Sequence, residues 1–247
     1  MSLILKITLS KLLSSPVIKK KFFKKFLKWI PRLKRKYPLS YIDGFKEFYG
    51  LTFKVASGVF LPRDDSEYII EYINSIRSSL PRSIRVLDLC CGSGCLGIAT
   101  SLLLQNYHVV ELVLADKSKK ALRFAKKNAA YHQIKAQVLE TSLFKNVLGT
   151  FDIIIFNPPY LTKFDYSGSI RFEPRKSLVS RRLGFETTFQ FLLSVKKYLN
   201  PSGFSLLETS DKLIGSILKV CELNNLNLEI LKISNKIAFL KVSLLKN

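Results

Sequence analysis

The chain has 247 residues, 47% apolar and 23% charged, enough to bury the core of one large domain. No uninterrupted apolar run approaches the roughly 18 residues that span a bilayer. Four cysteines, three of them crowded at Cys90, Cys91 and Cys95, lack the spread-out pairs of a disulfide framework, so a reducing compartment is expected; with no C-x-x-C, no metal site is expected. The net charge of +22 has two readings: an anionic partner such as a ribonucleoprotein, or a compositional bias towards Lys, Ile, Asn and Phe.

Residues 1–42 carry many Lys and Arg and no acid. Ile18, Phe22, Phe26 and Ile30 recur every fourth residue, with Lys20, Lys21, Lys24, Lys25 and Lys28 opposite. This predicts a basic amphipathic helix between Pro16 and Pro31 that rests on the body of the chain, on RNA or on an anionic membrane. With no cleavage site, no secretory signal is expected. The expected location is the cytoplasm, or an organelle matrix if the acid-free start is a targeting peptide. Residues 43–82 read as a small β element and a helix leading to the main domain, 83–247.

From residue 84 strands and helices alternate. The strands are "IRVLDL", "VVELVLAD", "AQVLET" and "FDIIIF"; the helices are 95–105 and 118–131, the second capped by Ser118. A helix over 185–199, a strand "GFSLLE" and a helix over 211–224 follow. "LNLEILKI" and "IAFLKVSLL" then form a hairpin. This is a doubly wound, mostly parallel α/β sheet closed by an antiparallel C-terminal hairpin.

"DLCCGSGCLG" (88–97) follows the first strand of this series, and Gly92, Gly94 and Gly97 fit G-x-G-x-x-G. Asp116 ends the next strand, where an acid meets ribose hydroxyls. Nicotinamide dinucleotide and S-adenosylmethionine enzymes share this layout. Two features favour the second: Asp88 at the strand end, suited to a cationic amino-acid moiety, and "NPPY" (157–160) at the end of the fourth strand. Consecutive prolines cannot continue a ladder, so that strand stops at a stiff loop beside the ligand crevice. His108 and His132 lie near no motif. The alternative reading of Asp88 is a carboxylate that braces the loop; Cys90, Cys91 and Cys95 read best as small loop residues.

DLCCGSG with NPPY resembles the amino-methyltransferases of the class I S-adenosylmethionine-dependent superfamily. The stretch "YIDGFKEFYGLTFKVASGVFLPRDDSE" (41–67) and "RFEPRKSLVS" (171–180) are similar to segments of the release-factor glutamine methyltransferases. The resemblance covers about 41–247 and implies a seven-stranded class I sheet, an S-adenosyl-L-methionine cofactor and a peptide chain release factor as protein substrate. It implies that Asp88, Cys90, Cys91, Gly92, Ser93 and Gly94 hold the cofactor's amino-acid end, and that Asp116 takes the ribose. Leu143 keeps an apolar contact to adenine, with Ser142 where the family has an acid. Asn157, Pro158, Pro159 and Tyr160 hold the substrate glutamine; Asn157 also borders the cofactor, and Asn157, Pro158 and Tyr160 are the catalytic set. Glu208 reads as structural. A monomer is expected, with ribosome or RNA contact through the basic N-terminus, which is about half the family's usual length. Ribosomal-protein glutamine methylation, adenine methylation of DNA or RNA, and a non-catalytic ribosome-binding role remain as alternatives.

Overall fold

A computed structural model describes residues 37–245. The basic helix expected between Pro16 and Pro31 lies outside them. A single-turn helix α1 (Ser40–Asp43) leads into the antiparallel hairpin β1 (Phe45–Phe48) and β2 (Leu51–Lys54), which is the small β element expected before the main domain. Helix α2 (Glu67–Ile76) follows and buries Ile69, Ile70 and Ile73.

The series then runs β3 (Ser83–Leu89), α3 (Cys95–Leu104), β4 (Val109–Asp116), α4 (Lys119–Tyr131), β5 (Ala136–Glu140), β6 (Phe151–Phe156), α5 (Glu186–Leu192), β7 (Leu199–Ser210), α6 (Ile214–Leu223), β8 (Leu226–Ser234) and β9 (Ile237–Leu244). β3 to β9 form one seven-stranded sheet in the order β5-β4-β3-β6-β7-β9-β8. β3 to β7 pair in parallel, while β9 is antiparallel to both β7 and β8. The chain winds outward from β3 to β5 and then returns to β6 on the other side of β3. That reversal opens the ligand crevice of an open α/β sheet, at the C-terminal ends of β3 and β6.

The period of two along each strand divides the core into two layers. Ile84, Val86, Leu112, Leu114, Ile153, Ile155, Phe204 and Leu206 pack in one cluster with Ile69, Ile70 and Ile73 of α2, Ile98 of α3 and Ala125 of α4. Leu87, Leu89, Val113, Ile154, Phe156, Leu207 and Leu240 pack in the other with Phe191 of α5 and Ile217 of α6. Each fully buried Leu, Ile or Phe contributes about 1.5–3 kcal/mol. These layers hold the strand ends in fixed register.

Two expected bounds are corrected. The helix expected over 185–199 is α only to Leu192, then a tighter 3-10 turn over Val195–Tyr198. The chain there must bury Val195 and enter β7 at Leu199, which pairs with Phe151. The strand expected over 203–208 extends from Leu199 to Ser210. It absorbs Pro201 through a register shift opposite Phe151 and Ile153.

Candidate active site

Residues 88–94 form the turn from β3 into α3. Cys90, Gly92 and Gly94 have φ of 64°, 56° and 80°, which curls the backbone so that the Cys91 and Gly92 N–H groups point at β4. Cys91 N–H donates to the Ala115 carbonyl at 3.0 Å, and Gly92 N–H donates to Asp116 Oδ2 at 3.0 Å. Asp116 Oδ1 accepts from Ser118 N–H at 2.8 Å. Ser93 is buried, and its carbonyl accepts from Asn128 Nδ2 at 2.8 Å. Burial pushes the thiols of Cys90, Cys91 and Cys95 up, so they stay neutral and fill space.

Asp88 lies on the Val86 side of β3, beneath α3, and is 1% exposed. Its Oδ2 accepts from Gly97 N–H at 2.9 Å. A Cβ at residue 97 would stand 2.8 Å from both Asp88 Cβ and Leu114 Cδ2, so only glycine lets α3 settle onto this carboxylate. Burial raises the Asp88 carboxyl to about 7; the Gly97 N–H opposes the rise and the Asp116 charge adds to it. The folded value exceeds the ordinary carboxylate value, so the folded state keeps a proton that the unfolded chain has released. The stabilisation this gives is complete below about pH 4 and is lost as pH rises towards 7. Asp88→Asn keeps the acceptor for Gly97 and removes the titration. Denaturant midpoints at pH 5 and pH 8 should fall less steeply for this variant than for wild type; equal falls would contradict it.

β6 ends at Phe156, and Asn157 to Tyr160 continue as the stiff loop. β6 and β7 are in register, Ile155 opposite Leu206 and Phe156 opposite Leu207. Asn157 and Glu208 come next along the two strands, on the side of Ile155 and Leu206. Glu208 is 1% exposed; Ser66 Oγ donates to its Oε2 at 2.5 Å and Tyr160 OH donates to its Oε1 at 3.0 Å. Asn157 Nδ2 donates to Ser66 Oγ at 3.4 Å. Burial raises the Glu208 carboxyl, with the hydrogen bonds from Ser66 and Tyr160 and the nearby Asn157 amide opposing it. Burial, then Glu208, raises the Tyr160 phenol.

A cavity of about 220 Å³ opens over this loop, lined in part by Phe60, Arg63, Asn157, Pro159, Tyr160 and Leu178. Its walls are the two segments 55–66 and 161–180. They are tied by Glu173, which is 4% exposed: its Oε1 accepts from Arg63 Nη2 at 2.5 Å and its Oε2 from Leu61 N–H at 3.1 Å. Phe60 Cβ stands 3.9 Å from where a Cβ of Gly92 would be, so Phe60 sits between the cavity and the 88–94 turn. Gly184, at φ 94°, packs so tightly that a Cβ there would run into the Tyr160 carbonyl.

The structure thus brings Asp88, Cys90 to Gly94, Asp116 and Asn157 to Tyr160 to one edge of the sheet. Ser142 is exposed and Leu143 half-buried in the turn that leaves β5, one strand beyond β4. His108 and His132 bond to the Pro81 and Thr52 carbonyls. Phe60, Arg63, Ser66, Glu173 and Glu208 were not singled out as site residues from the sequence. Four of them lie in the two motif segments; Glu208 has only its strand position as a signal.

Residues 51–171 match the methyltransferase small domain family. The release factor glutamine methyltransferase of Haemophilus influenzae is 33% identical over 183 residues, 69% of this chain and 63% of that protein. That of Borreliella burgdorferi is 32% identical over 203 residues, 80% of this chain and 69% of that protein. The chain therefore spans somewhat under two thirds of the first relative's length and somewhat over two thirds of the second's. Among solved structures, the 16S rRNA N2 G1207 methyltransferase of T. Thermophilus, in complex with AdoMet and guanosine, superposes with a TM-score of 0.59 at 19% identity, covering 81% of this chain and 49% of that one. The ribosomal protein L11 methylase of Lactobacillus delbrueckii subsp. bulgaricus gives 0.57 at 19% identity, covering 75% and 81%. The sheet is that of the class I methyltransferases. With 32% identity to a member of which it spans more than two thirds, the chain belongs to the release factor glutamine methyltransferase family.

Proposed function

We propose that the protein methylates the side-chain amide nitrogen of a glutamine in a peptide chain release factor, using S-adenosyl-L-methionine. The observation that carries the reading is the orientation of Asn157. Its Nδ2 turns inward to Ser66, and its Oδ1 has no hydrogen-bond partner among the described residues, although the residue lines the cavity. An acceptor there suits a substrate that arrives with N–H groups.

The residues at the 88–94 turn fit the cofactor. Each oxygen of Asp116 holds one N–H and keeps further lone pairs, which suits a diol. At Gly92 a side chain would meet only Phe60, so the backbone lies open to a ligand. Leu143 offers an apolar surface to a planar base. When bound, S-adenosyl-L-methionine supplies a methyl group already activated on a sulfonium.

The chain itself must then hold and aim a weak nucleophile. An amide nitrogen shares its lone pair with its carbonyl. Asn157 Oδ1 accepts one N–H of the substrate amide, and the Pro158 carbonyl, held by the ring of Pro159, accepts the other. Tyr160 is fixed by Glu208 so that its ring closes the cavity wall on the planar amide. The walls 55–66 and 161–180 exclude water. Asp116→Ala should weaken cofactor binding by about 1.5–3 kcal/mol, the range for hydrogen bonds to a charged group. Calorimetric titration checks this, and unchanged affinity would remove Asp116 from the site.

The proposed partners are the release factor and, through basic residues, ribosomal RNA. The described core supports the second: Lys117, Lys119, Lys120, Arg123, Lys126, Lys127 and Lys135 are all exposed, and residues 117–139 contain no acid. The chain is proposed to act in the cytoplasm as a monomer, with residues 1–42 as a docking segment.

A further inference from the structure

Glu208 reads from the sequence as a structural acid, but its neighbours assign it a chemical task. It is acceptor-only when ionised, and it receives both hydroxyl protons at its edge: Ser66 Oγ–H at 2.5 Å and Tyr160 O–H at 3.0 Å. The single proton of Ser66 is thereby committed to Glu208, so towards Asn157 the serine oxygen has only lone pairs to offer. The inner atom of the Asn157 amide therefore faces two acceptors, the serine oxygen at 3.4 Å and the Glu208 carboxylate beyond it. Only the NH2 end satisfies that surrounding. The flipped amide would set Oδ1 against two oxygens and present a donor to the cavity, at the cost of leaving buried lone pairs unpaired.

We propose that Glu208, acting through Ser66, is the positioning residue that locks the Asn157 amide with its oxygen towards the substrate. This rests on the reading of Asn157 as the acceptor for the substrate amide. Glu208 itself lies beneath the loop and touches no substrate. Its β7 position, next to Asn157 in register, makes the arrangement a property of the sheet rather than of a mobile loop.

The test compares wild type with Glu208→Gln in the full chain, with a glutamine-containing peptide and S-adenosyl-L-methionine. A glutamine fills the same space but brings an NH2 that can face Ser66, so the hydroxyl turns its proton away and Asn157 is no longer held in one orientation. Turnover should fall at least tenfold. KM for the peptide and cofactor affinity should stay within about threefold, and the melting temperature should hold or rise, because a buried charge has been removed. Turnover within twofold of wild type overturns the proposal, as does a melting temperature that falls in step with turnover. Should Glu208→Gln not fold, Ser66→Ala is read by turnover against KM and cofactor affinity, with the same tenfold and threefold limits, since it strips a donor from a buried carboxylate and is expected to lower the melting temperature. Absence of glutamine methylation by wild type overturns both this inference and the function it rests on; full-rate Glu208→Gln beside an active wild type overturns this inference alone.

Discussion

Asn157→Ala should lower turnover by about two orders of magnitude or more while leaving cofactor affinity within a few-fold. Holding a reactant in attack geometry can be worth roughly 7–11 kcal/mol in favourable cases, and the loss of one of two amide acceptors forfeits part of that. Cofactor affinity survives because its proposed contacts, 88–94 and Asp116, are built on β3, β4 and α3. Single-turnover rates with saturating peptide, beside calorimetric titration of the cofactor, separate the two quantities. Near wild-type turnover would make NPPY a structural loop. Asn157→Asp keeps acceptor oxygens but sets a second carboxylate beside Ser66 and Glu208, so it should recover only part of the lost rate.

Arg63→Ala should have the largest effect on stability. Glu173 is buried, and Arg63 is the only cation within ion-pair distance of it among the described residues. Removing one partner of a buried pair typically costs about 3–5 kcal/mol; Arg63 is one-third exposed, so about 3 kcal/mol is expected. The loss should concentrate in the walls of the cavity, residues 55–66 and 161–180, which the clamp joins across 110 positions of sequence. Native-state hydrogen exchange should show these segments opening together, and KM for the peptide should rise more than the cofactor affinity falls. Glu173→Gln keeps an acceptor for the Leu61 N–H and should cost less. A variant within about 1 kcal/mol of wild type, with unchanged exchange in both walls, would contradict the clamp.

Short apolar runs mark the strands, and glycine and proline positions mark the turns, because those signals are local: apolarity, φ and a missing N–H. Residues 88–94 and 157–160 are therefore legible as strand ends from the sequence. Long-range pairings were a different matter. Arg63 and Glu173 stood inside two recognisable segments, but nothing local says that one side chain reaches the other. Glu208 reads from the sequence as a structural acid near the end of the sheet. Its meaning comes from β6 lying beside β7 with Ile155 opposite Leu206, which puts residues 157 and 208 on one face. The end of α5 was overestimated for a similar reason: its apolar spacing continues past Leu192, but the need to enter β7 at Leu199 overrides it. Asp88 was legible as a strand-end acid, yet its partnership with Gly97 emerges only when α3 is laid over β3.

Transfer of a methyl group to a glutamine amide at NPPY can be read directly on the substrate. The direct measurement is tandem mass spectrometry of a purified release factor after incubation with the full chain and S-adenosyl-L-methionine, run in parallel with the Asn157→Ala variant. The expected result is one added methyl group on the side-chain nitrogen of a single glutamine with wild type, and a rate lower by about two orders of magnitude with the variant. An unmodified release factor, or methyl groups found instead on adenine in added DNA or RNA, would contradict it.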